Sequence, residues 1–285
     1  MNISRCTSHQ PLATLSLYLI LIFIGLLWLF PFYWVLTASV KETSELRQIP
    51  PTLWPHSFTL EHLTDVWRPR FARYFLNTLI YAGGTTGIVL FTSSLLAFIL
   101  VKHPSRFGNI VFATLIASIM VPMATYVLPL FLLLLSIQNI TGIPFINTYL
   151  GMIFPWIGFP FGIFLIRQAM FAVPDELLNA AKMDGAGTFR IYWQVVLPII
   201  RPQMVTLAIF VFMFKYDDLF WPLIIAFDSE MYPIAVGLIE FIGTYYIEYG
   251  LFTAASVMAI APILLLYLVL QRRIIKGIAM TGMSG

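Results

Sequence analysis

Cysteine is almost missing from this chain. Cys6 is the only one among 285 residues, which excludes an internal disulfide and a cysteine-rich metal site. Charge is also scarce: Asp, Glu, Lys and Arg make up 10% of the residues, against about 25% in an average soluble domain. The chain contains no GxxxxGK[ST] phosphate loop, no HExxH and no nucleophile motif, and His9, His56, His62 and His103 are scattered. These absences exclude ATP hydrolysis by this chain and argue against a metal-dependent or nucleophilic membrane enzyme. The alternating segments of about ten residues that mark a membrane barrel are absent, and so is any loop resembling a selectivity filter. The net charge of +3 gives no sign of a nucleic-acid partner.

What remains is apolar. Hydrophobic residues make up 60% of the chain, and the mean hydropathy is +0.89. One globular core cannot hide that much apolar surface, so the chain reads as an all-α polytopic membrane protein. Apolar runs at about 14–38, 75–101, 109–135, 148–169, 203–225 and 250–270 predict six transmembrane helices in a single domain, 1–285. The first run is too long for the core of a signal peptide, which spans roughly 7–15 residues. The tract Ser39–Arg73 is polar and broken by Pro50, Pro51, Pro55 and Pro69, so it predicts an extramembrane loop, with a short amphipathic helix near Leu60–Trp67. Gly83 and Gly87 stand in GxxxG spacing, which predicts close approach of a neighbouring helix. Pro122 and Pro129 predict kinks in the third run, and Pro155, Gly158, Pro160 and Gly162 an irregular fourth helix. Loops are expected at Ser136–Asn147 and Ala226–Tyr249.

An even number of spans puts both termini on one side. Arg5, Lys102, Arg106, Arg167, Lys182, Arg190, Arg201, Arg272, Arg273 and Lys276 fall on that side. Lys41, Arg47, Arg68, Arg70 and Arg73 fall on the other, accompanied by Glu42, Glu45, Glu61 and Asp65. The excess of Lys and Arg places both termini in the cytoplasm.

The loop 171–201, between the fourth and fifth runs, is a long polar interruption on the cytoplasmic side. Pro174 suits a first helical residue, and Asp175 and Glu176 complement the helix dipole. Gly185 is a natural stop, and Thr188 can cap a second helix. In that second helix Phe189, Tyr192, Trp193 and Val196 follow the spacing of an apolar face. A helix-turn-helix results, set off from the fifth run by Pro198 and Pro202. Physics leaves two readings open: a hairpin lying on the lipid, or a plug docked in a groove of a cytoplasmic partner. The small residues Ala180, Ala181 and Gly185 favour the plug.

Lys215, Asp217 and Asp218 lie within the fifth run. A charge at mid-bilayer costs at least about 2.5–3.5 kcal/mol and normally faces a cavity or a partner. Again two readings stand. Lys215 and Asp218 can pair locally at i, i+3. Alternatively Tyr216, Asp217, Asp218 and Trp221 form a polar, aromatic patch on a translocation path, of the kind that binds sugars. The charged trio would also suit an ion-coupled secondary transporter.

From Ala180-Ala181 through Gly185 to Val195-Val196-Leu197-Pro198, the stretch resembles the EAA loop of ABC-importer permeases (Glu-Ala-Ala, three residues, Gly, nine residues, Ile-x-Leu-Pro). Pro174-Asp175-Glu176-Leu177, Asp184-Gly185-Ala186, Asn77-Thr78, Asn147-Thr148-Tyr149-Leu150-Gly151, Asp218-Leu219-Phe220-Trp221-Pro222-Leu223, Leu270-Gln271-Arg272 and Lys276-Gly277 are similar to the carbohydrate-uptake branch, and to its MalG-like subunit in particular. The resemblance implies a multi-pass subunit of a prokaryotic inner-membrane importer, with half of the pathway for a sugar-like solute. It implies a second, MalF-like permease, an extracytoplasmic solute-binding protein and an ABC ATPase dimer as partners. ATP and Mg would be bound by the ATPase, with no cofactor or metal in this chain and no nucleic acid involved. It further implies that Glu176, Asn179, Ala180, Ala181, Asp184 and Gly185 couple to the ATPase, and that residues 174–198 act as the lever. The family's usual glutamate is Asn179 here, so the expected charge is missing and Glu176 stands one turn away.

Overall fold

The computed structural model describes residues 11–67, 69–242 and 247–282, with side chains for 14–67, 70–242 and 247–271. Arg5, Cys6, His9 and Arg68 lie outside the described residues, and for Arg272, Arg273, Lys276 and Gly277 only the backbone is described. Along the chain the main helices are α1 Pro11–Ala38, α2 Thr43–Leu46, α3 Glu61–Val66, α4 Pro69–Lys102, α5 Arg106–Ser118 and α6 Met123–Thr141. Next come α7 Tyr149–Ile153, which runs on as a 3-10 segment to Gly158, then α8 Pro160–Phe171 and α9 Asp175–Met183. The series α10 Thr188–Ile191, a π-turn Tyr192–Val196 and α11 Leu197–Ile199 leads to α12 Arg201–Tyr216. The last are α13 Phe220–Ile225, α14 Ile234–Gly237 and α15 Tyr249–Gly282. Among the described residues two isolated β-bridges occur and no longer strand.

Among the described residues four helices are long and apolar enough to cross a membrane, and up to six if each of two bent pairs counts as one. The bent pairs are Tyr149–Gly158 with Pro160–Phe171, at 44°, and Thr188–Ile199 with Arg201–Tyr216, at 78°. The expected irregular fourth helix is therefore present, broken at Phe159.

Other expected boundaries move. The third run is two helices, parted at Ile119–Pro122. Pro122 caps α6 in extended conformation, and by disfavouring helical geometry at Val121 before it, the proline keeps the two helices apart. Pro129 is absorbed inside α6, which runs to Thr141 and stops at Gly142, where φ is 72°. Half of the loop expected from Ser136 is thus helix. The fifth run ends at Tyr216, and α13 is a separate piece. The sixth helix continues past Leu270 to Gly282.

The chain divides into two compact units, 1–67 with 241–258 and 68–240 with 259–285. In the first, α1 is apolar all round, and most of its side chains are exposed. The loop after it is organised by two buried charges. Lys41 donates to the Thr52 carbonyl and lies 4.9 Å from the Trp34 ring centroid. The Glu45 carboxylate accepts from the Thr52 hydroxyl and from the His56 amide, and these bonds hold it below the usual carboxylate range. The short helix expected near Leu60–Trp67 is α3.

In the second unit α4 is the central element. Its buried face runs Tyr74, Thr78, Tyr81, Ala82, Thr85, Val89, Ser93, Ala97, the helical period of one stripe. Small residues on that stripe let α8 and α12 pack closely. A Cβ on Gly162 of α8 would meet Ser93 Oγ at 2.7 Å and Val89 at 3.2 Å. A Cβ on Gly237 would likewise clash with the Tyr74 ring of α4, and one on Gly84 of α4 itself would meet Ile153 at 2.7 Å. Gly83 and Gly87, expected to receive a neighbour, have nothing within 4 Å of an added Cβ. They sit outside the 78–82–85–89 stripe, so within this chain they face away from the helices that cover α4.

Candidate functional site

The hairpin after α8 is built by its local sequence. Pro174 takes the N-cap in extended conformation, so α9 starts one residue later than expected, and Asp175 and Glu176 fill its first turn. At the other end Ala186 N–H donates to Ala181 O at 2.9 Å and Gly185 N–H to Lys182 O at 3.0 Å. This is the Schellman arrangement, with Gly185 at φ 79°. Nothing lies within 4 Å of a Cβ built on Gly185, so the constraint there is conformation and not space. Gly187 caps the second helix and Thr188 is its first residue, a one-residue shift from the expected cap.

Glu176, Asn179, Ala180 and Met183 follow i, i+3, i+4, i+7 and are all exposed on α9, with Asp184 and Gly185 exposed at its end. Ala181 is half-buried and packs inward with Ala186 against the core. Its small side chain thus serves the hairpin's own packing. Composition did not single out Met183, which is 89% exposed. The expected apolar face of the second helix splits in two. Tyr192 and Val196 are buried with Ile191 and Ile200, whereas Phe189 and Trp193 are 67% and 54% exposed and stack at 6.3 Å. The cause is the π-turn at Tyr192–Val196, which shifts the register that a regular 3.6-residue period assumes. An exposed aromatic pair is a signal in its own right.

Two ties fasten this hairpin to the end of α4. Lys102 donates to the Val173 carbonyl at 3.0 Å and to Asp175 Oδ1 at 2.7 Å. Ser94 and Tyr192 share a hydroxyl hydrogen bond of 2.7 Å, and the Tyr192 ring packs on Phe98 at 5.3 Å. The Lys102 ammonium holds the Asp175 carboxyl below its ordinary range. The sign follows from linkage: the tie is present above the ordinary carboxylate pKa and is lost only as pH falls through the depressed value. The midpoint of thermal unfolding in detergent should therefore change with pH identically in wild type and Asp175→Asn between about pH 5.5 and about 8. A wild-type inflection in that window that Asp175→Asn removes would contradict this.

The charges of the fifth run lie where α12 ends. Lys215 and Asp218 form a 2.8 Å ion pair with side chains 1% and 8% exposed. The Asp218 carboxylate also accepts from Tyr81 Oη at 2.7 Å and from the Trp221 amide at 3.4 Å. Lys215 Nζ lies 3.0 Å from the centroid of a Trp156 ring. The local pairing offered by the i, i+3 spacing is thus formed. Tyr216 is buried and donates to the Ala259 carbonyl at 2.9 Å. Trp221 is fully buried, its indole N–H directed at Gly151 and Met152 carbonyls. Asp217 is exposed. The structure therefore brings Lys215, Asp218 and Trp221 into one buried network and leaves Asp217 at the surface.

Blocks far apart in sequence meet near the N-terminal end of α4. Asn77 donates to Glu230 and Tyr232 carbonyls at 2.9 and 3.0 Å and accepts from Tyr149 Oη at 2.6 Å. Thr78 accepts from the Ile234 amide at 2.8 Å. Asn147 accepts from the Phe227 and Asp228 amides at 3.0 and 3.1 Å. Asn77-Thr78 and Asn147–Gly151 are thus the clamps that shape the loop after α13. Among the described residues no group of three or more His, Cys, Asp or Glu is placed to hold a metal.

Residues 89–279 match the family described as the binding-protein-dependent transport system inner membrane component. The chain belongs to that family. It is 30% identical to the arabinooligosaccharides transport system permease protein AraQ of Bacillus subtilis (strain 168), over 97% of this chain and 99% of the relative. It is 29% identical to the diacetylchitobiose uptake system permease protein NgcG of Streptomyces coelicolor, over 97% and 90%. To the sn-glycerol-3-phosphate transport system permease protein UgpE of Yersinia pestis it is 27% identical, over 91% and 94%. Among solved structures, a chain of a bacterial ABC transporter involved in the import of the acidic polysaccharide alginate superposes with a TM-score of 0.77 at 20% identity, covering 94% of this chain and 98% of that one. That likeness concerns the fold. The permease is a membrane component of an ABC importer, and its relatives are transport permeases and not enzymes.

Proposed function

We propose that this permease carries half of the pathway for a sugar or sugar-like solute, and that it docks on an ABC ATPase dimer through residues 174–198. The observation that carries the docking is the exposed stripe Glu176, Asn179, Ala180 and Met183 on α9, together with the exposed Phe189–Trp193 pair of the same hairpin. A polar helix presenting small and apolar side chains suits a protein groove better than a lipid surface, where its apolar stripe would have to point inward. The sugar assignment rests on the similarity to AraQ and NgcG. UgpE keeps a phosphorylated polyol in the same chemical range.

In this reading six spans place both termini and the hairpin in the cytoplasm. A second, MalF-like permease completes the pathway, and an external solute-binding protein delivers the cargo. ATP and Mg belong to the ATPase, and this chain holds no cofactor. Asp217, exposed next to the buried network, is the path residue of choice, with Tyr216, Asp218 and Trp221 shaping the wall behind it. Closure of the ATPase moves α9, and α8 and α12 follow through the bends at Phe159 and Ile200. Asn179 accepts a hydrogen bond where a relative's glutamate would carry charge. An exposed ion pair contributes roughly 0–1 kcal/mol, so docking survives the exchange.

Right-side-out vesicles loaded with ATP and supplied with the binding protein test this. Uptake should continue when ion gradients are collapsed and stop when ATP is removed. Uptake that follows the gradient instead would overturn the proposal in favour of ion-coupled transport.

A further inference from the structure

Arg167 is a cation without a counter-charge. It stands on α8, about one turn before the helix ends at Phe171. Its guanidinium carbon lies 4.1 Å from the Phe112 ring centroid on α5 and 4.8 Å from that of Phe171. Two aromatic faces therefore hold the planar group in place. Among the described residues no carboxylate ion-pairs with it and no acceptor hydrogen-bonds to it, and its Nε is buried without a partner. Five N–H donors are fixed in a fork and unused. The nearby cation Lys102 is already committed to Val173 and Asp175.

We propose that the groove between α5 and α8 binds the phosphate of an anionic phospholipid, with the Arg167 fork as its receptor. A guanidinium fork matches two phosphate oxygens, and basic clefts between helices on the cytoplasmic side are suited to acidic headgroups. Arg106 is exposed on the first turn of α5. Phe171, whose ring holds the guanidinium, is itself 57% exposed and offers an apolar surface for the acyl chains. The site rests on the membrane reading above, with the 171–201 loop on the cytoplasmic side. It sits one helix turn from the hairpin, so an occupied site would brace the end of α8 from which the hairpin departs.

The test uses the intact transporter in detergent, titrated with phosphatidylglycerol or phosphatidylcholine and read by native mass spectrometry. Wild type should retain its tightest phosphatidylglycerol about tenfold better than phosphatidylcholine, and Arg167→Gln should lose that preference. Phe112→Leu keeps the charge but removes one stacking face, and should weaken retention about threefold should Arg167→Gln fail to assemble. Equal retention by wild type and Arg167→Gln, or an unchanged Phe112→Leu, overturns the site. Displacement by millimolar free glycerol phosphate overturns its assignment to lipid. A transporter that imports with ATP yet shows no lipid preference removes this site alone and leaves the proposed function standing.

Discussion

Asp218→Ala is expected to cost the permease about 3–5 kcal/mol, because it leaves the Lys215 ammonium buried without its partner. The Lys215 side chain is 1% exposed, and the Trp156 and Tyr81 rings beside it supply attraction but no negative charge. Removal of the carboxylate also orphans the Tyr81 hydroxyl, and a buried donor without an acceptor adds about 1–3 kcal/mol. Recovery of folded complex from membranes should fall sharply, and the midpoint of thermal unfolding in detergent should drop. The informative control is Lys215→Met combined with Asp218→Leu. A well-packed apolar pair of similar volume is often neutral or stabilising, so the double variant should recover much of the loss. If Asp218→Ala assembles and melts like wild type, the pair contributes nothing to the fold and an exclusively functional role for these residues gains ground.

The second large effect is expected at the turn of the hairpin. Gly185→Ala meets no neighbour, so its cost is confined to the left-handed backbone at φ 79°, about 1 kcal/mol or a little more. Gly185→Trp carries the same backbone cost and adds a bulky group on the face proposed to enter the ATPase. Import should therefore fall modestly in the first variant and at least about a hundredfold in the second, the latter corresponding to the steric loss of about 3 kcal/mol of docking energy. Both should reach the membrane in wild-type amounts. Copurification of the ATPase separates the causes: retained with Gly185→Ala, lost with Gly185→Trp. Normal ATPase retention by the tryptophan variant would show that the turn is not part of the docked surface.

Length, polarity and punctuation made much of the architecture legible. The run 14–38 falls inside α1, Leu60–Trp67 brackets α3, and the ends of α9 differ from the expected helix by a residue. Those features are written locally, in hydropathy, caps and stops. The misreadings share a different cause. Pro122 and Pro129 look alike in sequence, yet one breaks the chain and the other rides within α6; neighbouring helices decide which freed carbonyls are satisfied. Gly83 and Gly87 have the spacing of a close-packing motif, but the tight approaches to α4 are at Gly84, Gly162 and Gly237, because the segments covering α4 chose other positions. The π-turn at Tyr192–Val196 rotates Phe189 and Trp193 outward, which a fixed period cannot anticipate. For the candidate site, the i, i+3 spacing contained the Lys215–Asp218 pair. The partner Tyr81 was invisible, since it comes from a helix more than a hundred residues earlier.

The length of α4 has a further consequence. At 34 residues it extends about 51 Å, beyond the roughly 30 Å of hydrocarbon in a bilayer, and no proline interrupts it after Pro69. Its N-terminal end grips the 226–234 loop through Asn77 and Thr78, and its C-terminal end grips the hairpin through Ser94 and Lys102. The loop and the hairpin thus share one stiff shaft. Any ligand at the loop that favours one setting of the shaft must change affinity at the hairpin by a fixed factor, and whatever binds the hairpin must return that factor to the loop. A titration at either end of the helix would therefore measure the coupling of both.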